Sequence, residues 1–201
     1  MATVKGLLMR SRLLFILILI SSITYSQYAQ QAKIVASDVT GGDYFGYSDL
    51  GIDGDYAVIG AVGNDDAGNS SGSAYIFVRS GSSWSQQAKL TASDAAASDE
   101  FGASADISGD YAIVGAGLND DAGSQSGSAY IFVRSGSSWS QQAKLTASDA
   151  AELDQFGTWV SIDGDYAIVS AHGENGTAGS AYIFVRSGSS WSQQAKLTAS
   201  D

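Results

Sequence analysis

The 23 residues GSAYIFVRSGSSWSQQAKLTASD occur at 72–94, at 127–149 and at 179–201 without one substitution. A verbatim internal repeat constrains the fold more than any composition can. Each copy must adopt the same local structure, and each can pack only against a near copy of itself. The periodicity extends beyond the identical text: Trp84, Trp139 and Trp191 are 55 and 52 residues apart, and Phe45-Gly46, Phe101-Gly102 and Phe156-Gly157 keep the same rhythm. Every period reads as four short β-segments separated by Gly, Ser, Asn and Asp. In the second period they are FGASADIS (101–108), YAIVGAG (111–117), SAYIFVR (128–134) and WSQQAKLTA (139–147). YAIVGAG is apolar on both faces, as a strand held between two layers must be, and SAYIFVR is nearly so. WSQQAKLTA alternates instead: Trp139, Ala143, Leu145 and Ala147 share one face, and Ser140, Gln142, Lys144 and Thr146 the other. Dry inner strands followed by a half-wet one describe a propeller blade with its outermost strand last. Helix is disfavoured, because β-branched and aromatic residues dominate and Gly keeps interrupting.

The expected fold is therefore all-β, with β-propeller-type blades of four antiparallel strands. Three blades are expected, at 45–92, 93–147 and 148–201. Residues 27–44 hold a lead-in and a spare outer strand, AQQAKIVASD (29–38), which echoes SQQAKLTASD. Closed propellers take four to eight blades, so three make an incomplete one: a fragment of a longer array, or a piece that assembles. An open arc leaves two uncovered flanks. They are expected around Tyr56, Val58, Tyr75 and Phe77 on blade 1 and around Tyr166, Ile168, Tyr182 and Phe184 on blade 3. Because the blades are near copies, head-to-tail self-association through these flanks is expected.

Residues 1–26 read as a signal peptide. Lys5, Arg10 and Arg12 precede the short apolar run LLFILILI (13–20), and small residues follow at TYS (24–26). The run is shorter than a membrane-spanning helix requires. The expected localisation is secreted or cell-surface, with no membrane span after signal removal. No Cys is present, so the fold must stand without disulfides. Three of the 10 basic residues and none of the 21 acidic ones fall in the first 26, which leaves the remainder more acidic than the formal charge of −11 for the whole chain. Such a chain repels phosphate backbones, which excludes nucleic acid as a partner.

The stretches FGYSDLGIDGDYAVIGAV (45–62), FGASADISGDYAIVGAG (101–117) and FGTWVSIDGDYAIVSAH (156–172) resemble the FG-GAP repeat of integrin alpha-chain propellers, in the variety common in secreted bacterial repeat proteins. The resemblance implies a propeller and a role in adhesion or binding. Two departures stand out. The Pro that closes the motif is replaced by Val62, Gly117 and His172, and Ser170 replaces a Gly in the third unit. The calcium loop that the resemblance implies is also cut to DGDYA (53–57), SGDYA (108–112) and DGDYA (163–167). Calcium takes six to eight oxygen ligands, and a tight Gly-Asp turn offers too few. No metal site and no cofactor are expected.

Little else in the chain carries chemistry. GNSSG (68–72) matches the pattern of a hydrolase nucleophile elbow but lies between two β-segments. His172 is the only histidine, too few for a zinc site. No enzyme is expected. Acidic residues instead gather in the loops leading into strand one and joining strands two and three of each blade. Asn64, Asp65, Asp66, Asn119, Asp120, Asp121 and Glu174 are the candidate ligand-binding residues on that face. The expected function is a secreted, non-catalytic repeat module for adhesion or ligand binding through an acidic loop face, with an extracellular protein or glycan as partner. The alternative is a structural or assembly repeat, or a fragment of a longer propeller, without its own ligand.

Overall fold

The computed structural model describes residues 30–199, so the signal expected at 1–26 lies outside the described residues. From Gln31 onward the chain forms one compact unit. It contains three four-stranded antiparallel sheets, each a simple meander of consecutive strands. Blade 1 comprises β1 (Phe45–Asp53), β2 (Tyr56–Ala61), β3 (Ser73–Ser80) and β4 (Ser83–Leu90). Blade 2 comprises β5 (Ser104–Ser108), β6 (Tyr111–Ala116), β7 (Ser128–Ser135) and β8 (Ser138–Leu145). Blade 3 comprises β9 (Phe156–Asp163), β10 (Tyr166–Ala171), β11 (Ser180–Ser187) and β12 (Ser190–Leu197), with a single helical turn, α1 (Glu174–Thr177), between its second and third strands. The all-β, incomplete-propeller expectation holds.

The inner strands of blade 2 are dry because a blade covers each side of them. Val58, Ile76 and Leu90 of blade 1 bury against Phe101, Val114, Tyr130 and Phe132 of blade 2. Ile113, Ile131 and Leu145 of blade 2 bury in turn against Phe156, Val169, Tyr182 and Phe184 of blade 3. Backbone bonds stitch the junctions: Phe101 N donates to Ser71 O at 3.1 Å, and Phe156 N to Ser126 O at 3.0 Å. A polar and aromatic clamp closes the outer edge. The Arg134 guanidinium lies 4.3 Å from the Tyr56 ring centroid, and Trp139 stands edge-on to the same ring. Arg186 and Trp191 hold Tyr111 in the same way.

Three expectations need correction. First, the outer strand does not alternate through its length. Ile131 pairs with Ala143 but Phe132 pairs with Gln141, so Gln142 is bulged out. The extra residue puts Trp139 on the face toward blade 1 and Ala143 on the face toward blade 3. It also aims the bulged glutamine at the next blade: Trp139 Nε1 donates to Gln87 Oε1 at 2.8 Å, and Trp191 Nε1 to Gln142 Oε1 at 3.0 Å.

Second, the segment at 29–38 is not a strand over its described residues. An outer strand needs the third strand of its own blade as a partner, and none lies beside it among the described residues. Only its end keeps the repeated role, as a linker latched to the following blade. Ser37 N donates to Gln86 Oε1 at 2.8 Å, just as Ser93 N and Ser148 N donate to Gln141 and Gln193. Ile34, Ala36 and Val39 thereby cover Ile59, Tyr75 and Phe77.

Third, the flanks are composed differently. Val58 lies opposite Ile76, not Tyr75, so Tyr56 and Val58 face blade 2 while Tyr75 and Phe77 face the other way, under the linker. In blade 3, Tyr182 and Phe184 are buried against blade 2. The uncovered flanks carry Leu50 and Ile52 on blade 1, and Trp159, Tyr166, Ile168 and Leu197 on blade 3, each at least 40% exposed.

Candidate functional site

The loop face is built from the β2–β3, β6–β7 and β10–β11 connections and the turns leading into β1, β5 and β9. Asn64 and Asn119 are buried keystones of the first two connections. Asn64 Oδ1 accepts from Ser73 Oγ at 2.8 Å and from Asp66 N at 3.3 Å, while Ser71 Oγ donates to Asn64 O at 3.1 Å. Asn119, Ser128, Asp121 and Ser126 repeat this network. Asp65 and Asp120 each accept one backbone bond, from Ser70 N and Gln125 N, both at 2.7 Å, and otherwise point to solvent. Asn and Asp suit such loops because their short side chains substitute for backbone partners.

Asp66, Asp121 and Glu174 have a different role. Lys89 bridges Asp66 of its own blade and Asp38 of the preceding linker, the latter at 2.7 Å. Lys144 joins Asp121 to Asp94, 2.6 Å away, and Lys196 joins Glu174 to Asp149, 2.7 Å away. Each lysine therefore ties a linker to the connection behind it. In the third blade, whose connection is shorter, Glu174 takes the Asp66 role: it is buried and accepts from Tyr182 Oη at 2.8 Å. The loop face is not the uniformly acidic rim expected, because an ammonium group lies at the centre of each blade's cluster. Sequence reasoning missed these lysines. They sit inside the verbatim repeat, but the linker Asp that each one holds belongs to the copy before it.

The electrostatics follow from this arrangement. The Lys89 hydrogen bond holds the Asp38 carboxyl below the usual range, and Lys196 does the same for Asp149. Burial pushes Asp94 and Glu174 up, but Lys144 with Tyr130 on the first, and Lys196 with Ser180 and Tyr182 on the second, together outweigh it, so both end lowered. Burial pulls Lys89 down, yet Asp38 and then Asp66 raise it on balance, and Asp149 and Glu174 raise Lys196. Burial pushes the Tyr75 hydroxyl up to about 12.

The shortened turns are committed elsewhere. Arg79 pairs with Asp55 at 2.6 Å, Arg134 with Asp110, and Arg186 with Asp165, each within one blade. Gly109 N donates to Asp53 Oδ2 at 2.8 Å across the first junction. Among the described residues no group of three or more acidic, His or Cys side chains is arranged to hold a metal ion.

Asp43, Asp99 and Asp154, also on the loop face, are buried turn caps, accepting from Thr40 N, Ala96 N and Ala151 N. What remains open to a partner is Asp65, Asp120, Glu100 and Glu152, with the variable tips Asn69-Ser70 and Ser124-Gln125. A cavity of about 410 Å³ opens at the third blade, between the turn into β9 and the short β10–β11 connection. Glu152, Leu153, Gln155 and His172 line it. His172 is exposed, its Nδ1 3.2 Å from Thr158 Oγ1 and its ring tilted against Trp159.

The FG-GAP repeat family model matches residues 28–77, 84–132 and 139–184. The second and third matched segments begin in an outer strand and end in the third strand of the next blade. Each therefore covers one linker, the Phe-Gly turn it leads into and the first two strands of the blade that follows. No curated protein matches the chain.

Proposed function

From the premise that this chain belongs to the FG-GAP repeat family, we propose that it is an exported, non-catalytic binding module whose loop face engages an extracellular protein or glycan. One observation carries this reading. Blades that are otherwise near copies differ at the tips of rigid, internally bonded loops and at the cavity beside His172, where a partner would read a surface without ordering it first. The charge left free there, on Asp65, Asp120 and Glu152, suits a neutral glycan or a basic protein surface. A catalytic role has less support: general acids need carboxyls raised toward neutral pH, whereas those tied to lysine here are lowered. The reading needs no cofactor and no calcium. Export rests on the order of basic, apolar and small residues at 1–26.

The lysine ties favour a second reading, a structural repeat whose loop acids exist to hold blades together. A glycan and protein array, probed with the chain and with a D65N/D120N/E152Q variant, separates the two. The binding reading expects ligands retained by the chain and weakened in the variant. An array on which both bind nothing, or bind alike, favours the structural repeat.

A further inference from the structure

Each junction between blades depends on small residues on the distal flank of the earlier blade. A Cβ added to Gly60 would lie 1.9 Å from the carbonyl oxygen of Gly102, and one added to Gly115 would lie 1.9 Å from that of Gly157. The second strand of one blade is thus in backbone contact with the Phe-Gly turn of the next. Ser104, paired with Gly115, is fully buried and accepts from Val160 N at 3.1 Å. Gly117 lies less close to Thr158, whose Oγ1 would be 3.0 Å from an added Cβ.

The same three positions in blade 3 hold Ser170, Trp159 and His172; the last of them is Val62 in blade 1, which docks nonetheless, so the position that must be Gly is the one Ser170 fills. The serine puts a Cβ where the earlier blades have none. Trp159 is 55% exposed, its amide bonded to Ser170 Oγ at 3.0 Å and its ring against His172. The apolar and clamp positions of the outer half are unaltered: Tyr166, Ile168, Ile183 and Gln194 repeat Tyr111, Ile113, Ile131 and Gln142. At the position where the following blade would come closest, Gly has become Ser.

We infer that Ser170, with Trp159 held between it and His172, closes the distal flank of blade 3 against any blade that docks as blades 2 and 3 do, including the first blade of a second copy of this chain. A clash between a Cβ and a backbone oxygen has no rotamer to relieve it. The incoming blade would have to lift away bodily, and lifting separates Tyr166 from the Arg and Trp that clamp Tyr56 and Tyr111. The head-to-tail growth expected from blade similarity is thereby blocked at one end. The inference stands apart from the binding role and does not rest on it.

Light scattering across the micromolar range tests it, using the chain, a W159S/S170G/H172G variant, and both again with Arg79→Ala. In an opened flank Arg79 would stack on Tyr166, as Arg134 does on Tyr56. The expected result is a triple variant whose mass rises with concentration and falls back with Arg79→Ala, beside a parent whose mass Arg79→Ala does not change. A parent that associates through Arg79, a triple variant no larger than the parent, or a gain of mass that survives Arg79→Ala would overturn the inference. Gly115→Ser checks the steric premise within one chain. It should undock blade 3 and expose the linker at 148–155 to protease. A Gly115→Ser chain as protected as the parent would also overturn it.

Discussion

Phe45, Phe101 and Phe156 begin the same motif in three blades, yet they should not be equally costly to remove. Each ring packs edge-on against two aromatic rings of its own blade: Phe101 is 5.5 Å from Tyr130 and 6.0 Å from Phe132, and Phe45 is 5.7 Å from Tyr75 and 6.0 Å from Phe77. What differs is the cover from behind. Phe101 and Phe156 are fully buried under the preceding blade, whereas Phe45 has only the lead-in and stays half-buried. Removing a buried Phe ring costs about 3–5 kcal/mol, from lost transfer energy and from a cavity that closes only in part. Phe101→Ala and Phe156→Ala should lie in that range, a large share of the roughly 5–15 kcal/mol that holds an ordinary domain together. Phe45→Ala should cost about 1–2 kcal/mol, since part of its ring already meets water and less burial is forfeited. Urea unfolding followed by Trp fluorescence measures all three, because every blade carries a Trp: Trp84, Trp139, and Trp159 with Trp191. Equal losses at Phe45 and Phe101 would refute the reasoning, as they would mean the blade junctions add nothing to the ring's burial.

Three further outcomes follow from the same contacts. Asp38, Asp94, Asp149 and Glu174 have lowered pKa values, so their stabilisation is present above the ordinary carboxylate range near 4 and is lost as pH falls through their folded values. Acid melts should show that fall, and Lys144→Met should flatten the share due to Asp94. At the alkaline end, Lys89 and Lys196 are raised and Tyr75 is raised to about 12, so the unfolded chain gives up these protons first. Stability should therefore decline from about pH 10 upward, where free Lys and Tyr begin to titrate, and a flat profile to pH 12 would contradict the ties. Millimolar calcium should leave the melting temperature unchanged, whereas a site filled at a hundredfold excess over Kd would add about 2.7 kcal/mol; a large rise reversed by chelator would contradict the turn geometry.

The blades, their number and their strand order were legible in the sequence by itself. They follow from local alternation and turn chemistry, and a verbatim repeat reports these three times. The tertiary structure alone decided which face each side chain takes and which copy it touches. The bulge at Gln142 leaves the text of the outer strand unchanged but moves Trp139 and Ala143 to opposite faces, because one unpaired residue shifts a period of two by half a cycle. The flanks were misassigned for a related reason: Val58 pairs with Ile76 rather than Tyr75, and strand register is set by turns and packing, not by composition. At the loop face, Asp65 and Asp120 could be read as exposed acids, but the commitment of Asp66, Asp121 and Glu174 to lysines could not. Each lysine also holds the Asp that ends the preceding repeat, and a sequence in which every copy is alike does not say whether a lysine holds the aspartate of its own repeat or of the one before.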